Sequence, residues 1–161
     1  MISVQITEPM TLLTDYILAA GSLLFAVRLK TTIRLQGQTC RKLWGLAFLA
    51  SAAAAALGGT YHGFSLYLGE FLHPALWNST VYFIGLASGL MISGTLTSSL
   101  KRQDESVRWF LWGVGISLLG LGIQQSDIRL HEHLNHNDLS HCILLGALYL
   151  FYRGSRLLQD R

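Results

Sequence analysis

Apolar positions along this chain gather into five long runs separated by short polar segments, and that pattern sets the expected architecture. The runs are Leu12–Leu29, Leu43–His62, Leu76–Leu96, Val107–Ile123 and Leu139–Tyr152. A helix rises 1.5 Å per residue, so about 20 apolar residues cross roughly 30 Å of hydrocarbon. The runs therefore predict an all-α integral membrane bundle of five transmembrane helices, over residues 12–29, 43–65, 76–97, 107–125 and 137–154. The fifth reaches spanning length only if it begins near Asn135 and continues to about Arg156. No internal repeat or long linker interrupts the series, and a single transmembrane domain over 1–161 is expected.

Composition supports a lipid environment. The chain is 51% hydrophobic and 13% charged, against about 25% charged residues in average soluble domains. Small residues recur inside the runs, as Ser51–Ala56 with Gly58 and Gly59, as Gly85, Ser88, Gly89, Ser93 and Gly94, and as Gly113, Ser117, Gly120 and Gly122. Helices in lipid associate through such close-approach faces, and ordinary helix packing accounts for them. Trp44, Trp77, Trp109 and Trp112 lie near the ends of the expected spans, where interfacial anchors belong.

The net charge of +3 reads as a topology signal and not as a nucleic-acid surface. Arg28, Lys30, Arg34, Arg41 and Lys42 border the first connection, Lys101, Arg102 and Arg108 the third, and Arg153, Arg156 and Arg161 the tail. The N-terminus and Gly69–Ala75 carry no Lys or Arg, and Gln124–Asn137 carries only Arg129. Positive charge stays cytoplasmic, which predicts an outside N-terminus and a cytoplasmic C-terminus. Met1–Met10 lacks the basic residues of a cleavable signal peptide, so the first span is expected to remain as an anchor. The expected location is a bacterial inner membrane. Cys40 and Cys142 fall on opposite sides of the bilayer, too far apart to be bonded.

With that topology, all six histidines face outward: His62, His73, His131, His133, His136 and His141. Histidine is the commonest neutral metal ligand and titrates nearest neutrality. Asp15 lies within the first span, where an ionised carboxylate costs roughly 2.5–3.5 kcal/mol at mid-helix; such groups face the bundle interior and find partners, or reach headgroup water. His62 follows Gly58 and Gly59, which admit a close neighbour. Glu70, His73 and Asp127 lie in the outer loops nearby. Asp138 and His141 share one helix face at i, i+3, a spacing that lets the carboxylate orient the ring. His136 and His141 both point inward only if the helix starts after His136. His131 and His133 are expected at the solvated rim. The candidate set is thus metal ligands His62, His136 and His141 with Asp15 and Asp138 in acid–base roles. Zinc suits three such ligands and an open position, other transition metals accept imidazole, and His62 with His141 would equally serve as axial ligands of haem.

Two stretches carry a family resemblance. Leu57-Gly-Gly-Thr-Tyr-His-Gly-Phe64 and Asn135-His-Asn-Asp-Leu-Ser-His-Cys-Ile143, continuing into Ala147–Gly154, resemble small bacterial multi-span membrane proteins. More distantly they are similar to the membrane hydrolase superfamily of alkaline ceramidases and progestin/adiponectin receptors. That resemblance implies zinc held by a histidine on an early span and two on the last, with His62 in the first place and His141 and His136 in the others. The expectation is a metal-binding membrane protein, as a zinc-dependent lipid or amide hydrolase with a lipid substrate. The alternative is a non-catalytic or haem-holding subunit of a larger membrane complex or homo-oligomer.

Overall fold

The computed structural model describes residues 5–32, 38–98, 104–126, 128, 131 and 134–160. Arg34, Lys101, Arg102, Asp127, Arg129, His133 and Arg161 lie outside the described residues. Five helices account for most of the remainder: α1 (Pro9–Thr32), α2 (Thr39–Phe64), α3 (Leu72–Leu96), α4 (Asp104–Gln124) and α5 (His136–Ser155), with a 3-10 turn at Ser65–Tyr67. No strand occurs among the described residues. The first four helices are long and apolar enough to cross a membrane. α5 is of similar length, but its first two turns hold His136, Asn137, Asp138 and His141, which lower its hydropathy.

Packing runs α3–α2–α1–α5–α4, with α3 and α4 at the two ends and making no extensive contact with each other. Small residues decide the α1–α2 and α2–α3 approaches. A Cβ on Gly59 would stand 2.9 Å from Asp15 Cβ, and one on Gly94 would stand 2.7 Å from the Trp44 ring. Removing that bulk lets backbones close and recover dispersion contacts that lipid cannot supply preferentially.

The core lies toward the ends of α1, α2 and α5 opposite the histidines. Phe25 stacks on Tyr152 at 5.1 Å and meets Phe48 edge-on at 5.8 Å, while Trp44 stacks on Phe110 at 5.0 Å. Such pairs add about 0.5–1.5 kcal/mol each beyond burial. Trp44 therefore departs from the expected interfacial role: it is buried at the α2–α3–α4 junction because Gly94 leaves space for its indole. Trp77 and Trp112 remain exposed, and Trp109 carries the Arg153 guanidinium over its ring at 4.4 Å.

Both ends of the bundle are tied by side chains capping helices. Gln38 gives α2 no side-chain cap; Asp160 does so from the tail, accepting from Thr39 N at 2.6 Å and Cys40 N at 2.8 Å. Arg41 Nε donates to Leu158 O at 2.9 Å and completes the clasp. At α5, Asn135 Oδ1 accepts from Asn137 N and Asp138 N, while Asp138 Oδ2 accepts from Asn135 N. This capping box starts the helix at His136 and fixes the direction in which Asp138 and His141 leave it.

Candidate functional site

Asp15 sits in the second turn of α1 and is 4% exposed. A carboxylate buried this deeply needs partners, and the fold supplies room and one strong neighbour. The missing side chains of Gly58 and Gly59 make the room: a Cβ at Gly58 would lie 3.5 Å from Asp15 Oδ2. The neighbour is His141, whose Nε2 stands 3.4 Å from Asp15 Oδ1. The other ring nitrogen, Nδ1, is 3.1 Å from Thr14 Oγ1. Thr14 also lies 3.1 Å from Thr11 O and 3.5 Å from Asp138 Oδ1. Asp138 is fully buried and meets His141 through Thr14, in a four-residue array Asp15–His141–Thr14–Asp138.

Thr14 has one hydroxyl proton, and this limits the proton arrangements. If Thr14 donates to Thr11 O, its oxygen accepts from His141 Nδ1–H and leaves Nε2 as a lone pair facing Asp15. If Thr14 donates to Nδ1 instead, Nε2–H donates to an ionised Asp15. The first arrangement presents a base or a metal ligand, the second a bound imidazole–carboxylate pair. Interconverting them takes a proton from Nδ1, adds one at Nε2 and turns the Thr14 hydroxyl from Thr11 O to the ring.

His62, on the last full turn of α2, has its own carboxylate. Its Nδ1 lies 3.3 Å from Glu8 Oε2. The segment holding Glu8 is fastened across the end of α2, with Thr7 N donating to Gly63 O at 3.0 Å and Gln5 N to Tyr67 Oη at 2.8 Å. Tyr61 joins this rim, with its ring 4.6 Å from His73 and 5.3 Å from Trp77. His136 stands apart: it begins α5, and its buried Nδ1 finds no hydrogen-bond partner among the described residues. His131 is exposed, and Leu134 N donates to its carbonyl oxygen at 3.1 Å.

A cavity of about 380 Å³ connects these groups. Asp15, His62, Thr80, Asn137 and His141 line one end, and Ser51, Met91, Leu148 and Phe151 the other. Its volume is within the roughly 300–1,000 Å³ typical of small-molecule sites.

As a metal centre, the arrangement is partial. His141 and Asp15 come together, His62 faces the same cavity, and His136 does not line it. Among the described residues, no three His, Cys, Asp or Glu side chains are grouped as the ligands of one ion.

The model of a family of unknown function, DUF6962, matches residues 10–103 and 90–160. The chain belongs to this family. No curated protein and no solved structure matches it, so the likeness to ceramidases and progestin/adiponectin receptors stands on the quoted residues alone. In this DUF6962 member, sequence reasoning passed over Glu8 and gave Thr14 no site role. Glu8 carried a usable signal, since a carboxylate just before the first span lies on the same expected side as His62. Thr14 carried none, because a threonine beside a polar position is unremarkable until α5 docks against it.

Proposed function

We propose that this protein is a multi-span membrane hydrolase in which Asp15 and His141 act as an acid–base pair on an ester or amide. The observation that carries this reading is the 3.4 Å contact between His141 Nε2 and Asp15 Oδ1 at the end of the cavity that holds its ionisable residues. The lone pair at Nε2 takes a proton from water, and the hydroxide so formed attacks the carbonyl carbon. The proton is then returned to the leaving alcohol or amine, and Asp15 stabilises the imidazolium between the two transfers. Thr14 and Asp138 hold the ring in the orientation this needs, and Asn137 places an amide at the same end of the cavity for the developing oxyanion. The basic residues bordering one set of helix ends support an outside N-terminus, with the site facing outward and α5 completing the bundle as a fifth span in an inner membrane.

Zinc-assisted hydrolysis is the second reading, favoured by one distance. Two ligands at about 2.0–2.1 Å from a tetrahedral ion stand about 3.4 Å apart, which is the separation of Nε2 and Oδ1. With Nδ1 held by Glu8, His62 would offer Nε2 as the third donor, and the bound ion would lower the pKa of a water to about 7.

The test is purified protein incubated with a panel of acyl esters and amides, with products followed by mass spectrometry and metal by elemental analysis. Turnover that falls at least a hundredfold in Asp15→Asn and in His141→Gln supports the acid–base pair. Stoichiometric zinc lost in His141→Gln and His62→Ala selects the metal reading. Undiminished turnover in both His141→Gln and Asp15→Asn, or no turnover at all, overturns the hydrolase, and a Soret band would assign the histidines to haem.

A further inference from the structure

The cavity is long, and its ionisable residues Asp15, His62 and His141 lie at one end. Along α5 its lining runs from Asn137 to Phe151, and along α3 from Trp77 to Met91. Each run covers fifteen residues, fourteen rises of 1.5 Å or about 21 Å of helix. That exceeds half of the roughly 30 Å hydrocarbon thickness, the depth of one leaflet. Its volume of about 380 Å³ is therefore drawn out along the helices, over a length that takes an extended acyl chain.

The walls differ in exposure. On α1, α2 and α5 the lining residues Asp15, Leu18, Ala54, Ala55 and Leu148 are buried. On the facing edges of α3 and α4, Val81, Ile84, Ser88 and Leu121 are exposed. Since α3 and α4 close the ends of the packing series without extensive contact between them, the cavity opens sideways between two lipid-facing helices.

We propose that the cavity sheathes the acyl chain of a membrane lipid, which enters from the bilayer between α3 and α4 and brings its carbonyl to Asp15 and His141. The assignment of that lipid as substrate rests on the acid–base reading above, whereas the occupancy of the cavity does not. A chain in bulk lipid gains nothing by moving to an equally apolar wall, so its polar group supplies the preference: the carboxyl, ester or amide finds His141, Asn137 and Thr80 already held in place by the fold. A headgroup larger than that end of the cavity stays at the rim beside Tyr61, His73 and Trp77.

The probe is a 16-carbon fatty amide with a diazirine near its terminal methyl, photolysed with the purified protein in detergent and mapped by peptide mass spectrometry. The expected label falls on 51–55, Met91 and 144–151, saturates, and is competed by unlabelled 16-carbon amide at least tenfold better than by the 8-carbon homologue. Ser51→Phe, which fills the deep end, should cut that labelling about tenfold. Ser88→Trp, at the exposed edge of the opening, tests the same passage should Ser51→Phe not fold. Label confined to outward residues such as Leu111 and Leu118, or equal competition by both chain lengths, overturns the proposal. Chain-length-dependent labelling without turnover of any ester or amide would retain the lipid site and reject the hydrolase; turnover of acyl substrates indifferent to chain length would do the reverse.

Discussion

Nε2 of His141 faces Oδ1 of Asp15 at 3.4 Å across the α1–α5 contact, so each group is the reason the other can be buried. Replacing one alone leaves its partner buried without that contact, at a cost of about 1–3 kcal/mol for an unsatisfied polar group. A double-mutant cycle of Asp15→Leu and His141→Leu, measured by unfolding in a titration of denaturing detergent, should therefore be non-additive. The double variant is expected to be about 1–3 kcal/mol more stable than the sum of the singles implies. Strict additivity would mean that the two side chains do not interact.

Gly59 and Gly85 should respond to alanine with opposite signs. A Cβ at Gly59 would meet Asp15 Cβ at 2.9 Å and the Tyr16 ring at 3.3 Å, and the first of these is fixed to the α1 backbone. Gly59→Ala is expected to cost about 1–3 kcal/mol and to displace Asp15 from His141. Nothing lies within 4 Å of the same position at Gly85, so Gly85→Ala should gain up to about 1 kcal/mol of helix propensity. Thermal unfolding midpoints of the two variants against wild type check both signs.

The capping box at the start of α5 couples a helix end to the site. Asn135→Ala removes the acceptor for Asn137 N and Asp138 N and is expected to cost about 1 kcal/mol. Because Asp138 and His141 lie within the first two turns, the loss should appear as faster amide hydrogen exchange there, with the core stretch around Tyr152 unchanged. Uniform acceleration along α5 would mean that the box is not a local clamp.

Asp160 confers a pH dependence on the opposite end. Burial pushes its carboxyl upward, but the hydrogen bonds from Cys40 and from Thr39 together outweigh that and hold it below the usual carboxylate value. The sign follows from linkage: a group depressed in the folded state contributes stability above its ordinary value of about 3.9 and loses it as pH falls through the folded value. The unfolding midpoint of wild type should therefore exceed that of Asp160→Asn at pH 6, and the two should converge on acidification below pH 4. A gap that stays constant with pH would show that the carboxylate is not what clasps the tail to α2.

Much of the fold was legible from the chain alone, because lipid imposes a length and a polarity on each helix that composition must satisfy. The apolar runs located α1 to α4, and spanning length placed the start of α5 near Asn135, whereas the Asn135–Asp138 capping box that fixes this start emerged in the structure. The polar position of Asp15 within an apolar run likewise announced a buried partner. Its identity was a tertiary matter: 126 positions separate Asp15 from His141, and only the docking of α5 on α1 brings them together. The same docking gave Thr14 to the His141 ring and routed Asp138 through it, while Glu8 came to His62 because the segment before α1 folds across the end of α2. Trp44 left its expected interface because Gly94 made space on another helix. Helical periodicity fixes which residues share a face, but the faces that meet are set by where small side chains let backbones approach, and that is a property of pairs of helices.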